Sequence, residues 1–172
     1  GICDDPVYMD ASSGYKITKF LESFRLCDPY QDNDLRLCMD KLRTFHNMEL
    51  QVDYSFDIFE RIDYYESLWG GKLSCYTDYA DTKKNVFSLK RYIDSQPKRN
   101  CLAHIDAVHD NFLIVPDERG GESVQLTDWE YAGMQDPHVD IAMFAIYSFY
   151  NQQQIDRLID ACLEAGINEI FI

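Results

Sequence analysis

The sequence predicts an α+β fold that is predominantly helical, and three observations carry that reading. Apolar residues recur at helical spacing in five separate stretches. Short β-branched and aromatic runs gather at the start of the chain and again between residues 100 and 128, and the second group brackets a turn-rich segment with paired glycines. At 172 residues, with 46% apolar and 14% aromatic content, the chain is long enough to close one packed core.

Taken in order, Val7 to Met9 and Tyr15 to Phe20 read as two strands joined by the turn Asp10 to Gly14. A helix follows Pro29, with Asn33 as its expected cap and Leu35, Cys38, Met39, Leu42 and Phe45 on one face. Ser55 is the expected cap of a second helix bearing Ile58, Ile62, Tyr65 and Trp69, and Asp81 that of a third bearing Val86, Leu89 and Ile93. Cys101 to Ala103, Phe112 to Val115 and Val124 to Leu126 read as strands. The last two form a hairpin around Asp117 to Glu122. Val139 to Tyr150 is apolar on nearly every side and is expected to be a buried central helix, and Ile155, Leu158, Ile159 and Cys162 mark a final amphipathic one. No internal repeat or linker divides the chain.

Thirty acidic against sixteen basic residues give a formal charge of −14, which disfavours nucleic acid and anionic membrane as partners. No run of 18 apolar residues occurs, and the first residues lack the basic start and apolar stretch of a signal peptide. The six cysteines show no Cys-x-x-Cys pair and none lies close in sequence to a histidine, so reduced and mostly buried thiols are expected, as in a cytoplasmic protein.

The hairpin gives a geometric result. Asn111 precedes its first strand and Asp128 follows its second, so antiparallel pairing brings both to one open end, about 5 Å apart at Cα. Two hard oxygen ligands there suit Mg2+, which takes one or two protein oxygens and fills its other positions with water and phosphate. The entering loop, His104 to Asn111, brings Asp106 to the same end and has the form H-x-D-x-x-x-x-N, the spacing of the kinase catalytic loop. Trp129 and Tyr131 offer faces for a quaternary ammonium or, alternating around Glu130, pack inward on the core. Between His104 and Asp140 nine acidic residues stand against one arginine, which favours a cationic substrate.

With these residues in view, the run L-T-D-W-E-Y-A-G from Leu126 to Gly133 and D-P-H-V-D-I-A from Asp136 to Ala142 resemble the choline/ethanolamine kinase and aminoglycoside phosphotransferase superfamily. The D-W-E-Y wording is closer to bacterial choline kinases. Tyr15 to Glu22 resembles the last small-lobe strand running into the hinge, Leu42 to His46 resembles the end of the first large-lobe helix, and the similarity covers most of the chain. The resemblance implies a protein-kinase-like large lobe over residues 23–172, incomplete at the C-terminus, with residues 1–22 as the end of the small lobe and the hinge. It implies Asp106 as the catalytic carboxylate, Asn111 and Asp128 as magnesium ligands, and backbone near Leu21, Glu22, Ser23 and Phe24 as the adenine contact. It further places Glu130 on the substrate side, with His104 and Asp140 supporting the catalytic loop.

The implied reaction transfers the γ-phosphate of ATP, with Mg2+, to the hydroxyl of a small cationic alcohol such as choline. An aminoglycoside or another small alcohol would need the same apparatus. The glycine-rich phosphate loop and strand lysine of an intact kinase do not occur in these 172 residues, so a fragment is expected. A third expectation is a stand-alone lobe that binds a ligand or partner without turnover, its apolar surface favouring a homodimer.

Overall fold

The computed structural model describes residues 2–117 and 120–167. Its elements, in chain order, are β1 (Pro6–Asp10), β2 (Tyr15–Thr18), β3 (Arg25–Leu26), α1 (Asp32–His46), α2 (Ile58–Ser67), α3 (Tyr79–Ser95), β4 (Cys101–Ala103), β5 (Phe112–Pro116), β6 (Glu122–Leu126), β7 (Gly133–Gln135), α4 (His138–Tyr147) and α5 (Gln152–Glu164), with a 3-10 turn at His109–Asn111. The α+β, mainly helical architecture expected from the sequence is present.

The strands form three small antiparallel sheets: β1 with β2, β3 with β5 and β6, and β4 with β7. Strands β3 and β7 were not foreseen, because two or three residues carry no readable alternation. Both matter to the site. Arg25 pairs with Ile114 and Leu26 with Leu113, so the segment after residue 24 is tied to the hairpin. Cys101 to Ala103 pair with Gln135 back to Gly133, which ties the strand entering the His104–Asn111 loop to the segment that follows Asp128.

The core is built where the apolar stripe of α1 meets the inner face of the hairpin, α4 and α5. Leu35, Cys38, Met39 and Leu42 pack with Phe112, Ile114, Val124, Leu126, Ile141, Phe144, Leu158 and Cys162. Fully burying a side chain of this size is worth about 1.5–3 kcal/mol, so these contacts hold the hairpin rigidly against α1.

Helix ends differ from the sequence reading for local reasons. α1 starts at Asp32 with Gln31 at its N-cap, and Asn33 lies inside its first turn. α2 is capped by Asp57, whose carboxylate accepts from Phe59 N and Glu60 N, two residues beyond Ser55. α3 starts after Asp78, before Asp81. α4 stops at Tyr147 because Phe149 adopts a left-handed φ of 53°, and it buries only one face: Ile141, Phe144 and Ala145 are inside, whereas Ile146 and Tyr147 are exposed. α5 carries a full capping box between Asn151 and Gln154. α2 and α3 bury none of their residues, so their stripes are largely surface.

Candidate active site

The hairpin register opposes Phe112 to Leu126 and runs to Pro116 opposite Glu122. One step further out, Thr127 N donates to Asn111 O over 3.1 Å. Asp128 therefore lies one residue beyond the position facing Asn111, not directly across from it. Its φ of 62° turns the chain there into the left-handed region. Among the described residues its carboxylate takes no hydrogen bond and no ion pair.

Asn111 is oriented by the catalytic loop. Its Nδ2 donates to Asp106 O at 2.8 Å and to Asp106 Oδ2 at 3.2 Å, which leaves the carboxamide oxygen as its coordinating atom. Asp106 and Asn111 are half-buried, and Asp128 is exposed. The three residues are thus brought to one end of the hairpin. An uncompensated carboxylate, a carboxamide oxygen and a neighbouring carboxylate are a hard, oxygen-only donor set that fits Mg2+ with its remaining positions open. Among the described residues no group of three His, Cys, Asp or Glu side chains forms a cage.

The loop is strained, and a buried carboxylate holds it. Ile105, a β-branched residue, has a φ of 70°, a conformation costing of order 1–3 kcal/mol. Asp140, from the first turn of α4 and fully buried, accepts Ile105 N at 2.7 Å through Oδ1 and His104 N at 3.0 Å through Oδ2. His46 Nε2 lies 2.8 Å from the same Oδ2. His104 reaches across with its Nε2 to Thr127 O at 2.9 Å, joining the loop to the residue before Asp128. Asp140 and His104 therefore tie the loop to α4 and to the end of the hairpin.

His46 is the last residue of α1. It is buried and joins α1 to Asp140. The available signal was its place on the buried face of α1, four residues after Leu42 and beside Phe45. Arg99 belongs to the same support, donating through Nη2 to His46 O and through its backbone N to Asp136.

Trp129 takes the inward packing, one of the two arrangements its alternation with Tyr131 left open. Its indole is half-buried, edge-on to Phe45 at 5.0 Å and to His104 at 4.6 Å, and Nε1 donates to Leu126 O at 3.2 Å. The indole packs against the core cluster directly after the left-handed residue Asp128. Glu130 and Tyr131 stay exposed. The Tyr131 phenol is pushed up by the charge of Glu130 and by Tyr65.

Leu21, Glu22, Ser23 and Phe24 form the link between β2 and β3, with Leu21 half-buried and the other three exposed. Leu21 also lines a cavity of about 260 Å³ with Phe20, Val115, Val124 and Gln125, between this link and the hairpin. Arg25 anchors its far side: the guanidinium donates to Asp34 at 2.5 and 2.8 Å and to Glu122 at 2.9 and 3.0 Å.

A hairpin entered by a strained loop that an aspartate pins from beneath, set over a mainly helical core, has the architecture of a protein-kinase-like large lobe. Residues 13–158 match the family described as choline/ethanolamine kinase, and the chain belongs to that family. It is 27% identical over 158 residues to Protein LicA of Haemophilus influenzae, a match covering 88% of this chain and 44% of that protein. The crystal structure of choline kinase LicA from Streptococcus pneumoniae superposes with a TM-score of 0.80 at 26% identity, over 93% of this chain and 56% of that one. An aminoglycoside phosphotransferase from Alicyclobacillus acidocaldarius superposes with a TM-score of 0.57 at 13% identity, over 98% and 60% of the two chains, and shows the shared fold alone. The chain spans about half the length of the curated relatives it matches.

Proposed function

We propose that this lobe serves ATP-dependent phosphoryl transfer to the hydroxyl of a small cationic alcohol, with choline as the leading acceptor. The observation that carries the reading is the convergence of Asp106, Asn111 and the unpartnered Asp128 at one end of a hairpin whose entry loop is pinned by Asp140. Asp106 orients the acceptor hydroxyl and takes its proton as the phosphoryl group leaves ADP. Asn111 and Asp128 hold Mg2+, which when bound neutralises charge on the phosphates. Residues 1–22 act as the end of the small lobe and the hinge, and backbone at Leu21 to Phe24 meets the adenine. Glu130 and Tyr131 lie on the acceptor side and add negative charge and a ring face for a cation. LicA relatives favour choline over an aminoglycoside, since the likeness to the latter enzymes extends only to the fold.

A coupled ADP-release assay on the full-length protein with Mg-ATP tests this. Turnover should depend on choline, and Asp106→Asn should lower kcat about 10²- to 10⁴-fold with the fold intact by circular dichroism. Equal ADP release with and without choline, ethanolamine or an aminoglycoside would remove the proposal.

A further inference from the structure

The aromatic residues beside the acceptor side enclose a cation, and the cation belongs to the protein. The guanidinium carbon of Arg61, on α2, lies 5.4 Å from the ring centre of Tyr54, 5.5 Å from that of Phe56 and 5.7 Å from that of Tyr64. All three distances are within the range of cation–π attraction. Arg61 Nη2 also donates to the Tyr54 hydroxyl.

Carboxylates would be the usual partners of an arginine in so acidic a chain, but none pairs with it: Glu60, beside it in sequence, makes no ion pair among the described residues, and the others nearby are engaged elsewhere. Asp57 caps α2 and lies 3.6 Å from Lys90, and Asp63 and Glu66 both hold Lys83. Arg61 makes no ion pair among the described residues.

The cage is fixed to the strand that follows the candidate metal loop. Met134 N donates to Tyr54 O at 2.8 Å, and Phe56 N donates to Met134 O at 3.1 Å. Tyr54 packs so closely on Gly133 that a Cβ there would come within 2.9 Å of its ring. From Tyr64 the aromatic surface continues through Tyr65, 5.5 Å away, towards Tyr131 and Glu130. A cation in this cage therefore lies on the ledge that leads to the acceptor side.

We propose that Tyr54, Phe56 and Tyr64 form a site for an organic cation and that Arg61 is its displaceable internal occupant, so that a cationic ligand enters by exchanging with the guanidinium. The proposal rests on the acceptor being cationic, and it makes Arg61 a specificity-determining residue. It sets affinity through competition and touches none of the reacting groups.

The test is equilibrium binding of tetramethylammonium, which has no hydroxyl and cannot be phosphorylated, followed by calorimetry on the full-length protein. Arg61→Met keeps the packing of the side-chain stem and removes the competing charge. It should bind tetramethylammonium about three- to tenfold more tightly than the parent protein, as expected for rings freed of one cation. Adding Tyr64→Leu to Arg61→Met should return the affinity to the parent value or below. Equal or weaker binding by Arg61→Met, or no effect of the added Tyr64→Leu, would overturn the proposal. Because no phosphoryl transfer is read, this result is separable from the fate of the kinase assignment.

Discussion

Asp140 shows how one side chain can set the geometry of a site it does not enter. It receives two backbone N–H groups from consecutive loop residues, one of them in a left-handed conformation, and it meets His46 on a third side. Replacing it with alanine leaves those donors buried without an acceptor and removes the force that keeps Ile105 at positive φ. Each unsatisfied buried group costs about 1–3 kcal/mol, so Asp140→Ala should lose about 3–5 kcal/mol in urea unfolding. A loss below about 1 kcal/mol would mean that the loop holds itself. A supporting role for Asp140 was what the family resemblance implied. His46 escaped notice because its partner is 94 residues away and a histidine at a helix end has a ready local explanation.

At the level of elements, the junction of β3, α1 and the hairpin depends on Arg25. Asp34 is almost fully buried in the first turn of α1, and the Arg25 guanidinium holds its carboxyl below the ordinary range, with Asp28 N adding a further hydrogen bond. A carboxyl whose folded-state pKa is depressed contributes stability that is fully present above its unfolded value, about 3.9, and is lost as the pH falls through the lower folded-state value. Arg25→Ala removes the depression, so acid unfolding should begin at higher pH than in the parent protein. At neutral pH the variant should lose about 1–3 kcal/mol, the half-exposed position of Arg25 allowing water to replace part of the interaction. Tryptophan fluorescence followed against pH checks both effects, and superposable acid transitions would contradict the argument. None of this was legible beforehand, because a two-residue strand has no periodicity and an Asp in the first turn of a helix is ordinary there.

The whole molecule divides into a well-packed half and a thinly covered one. α1, the hairpin, α4 and α5 share one core, whereas α2 and α3 meet through Phe59 against Phe87 and Trp69 against Tyr79 with their apolar stripes largely at the surface. No helix among the described residues is long and apolar enough to cross a membrane. The thiols follow the same division. All six are free: Cys27, Cys38, Cys101 and Cys162 are buried, and Cys3 and Cys75 are exposed. Burial pushes Cys101 up to about 11 and Cys162 up to about 12, and the thiolate is the reactive form. Ellman's reagent should therefore titrate two thiols quickly in the native protein and six in guanidinium chloride. Four or more fast thiols in the native state would show that the core opens readily.

By itself the sequence determined the reading frame of the site: the spacing of His104, Asp106 and Asn111, the hairpin that returns the chain to Asp128, and the helical stripe of α1. Those features follow from chain-local chemistry, in which turn residues, period and strand length act over a few positions. Only the tertiary structure decided that Trp129 packs on the core, that His46 and Asp140 meet, that β3 joins the segment after Phe24 to the hairpin, and that Arg61 fills an aromatic cage. Each of these depends on which distant surfaces come together, and burial, hydrogen-bond satisfaction and competition among charges are settled only once the whole chain has packed.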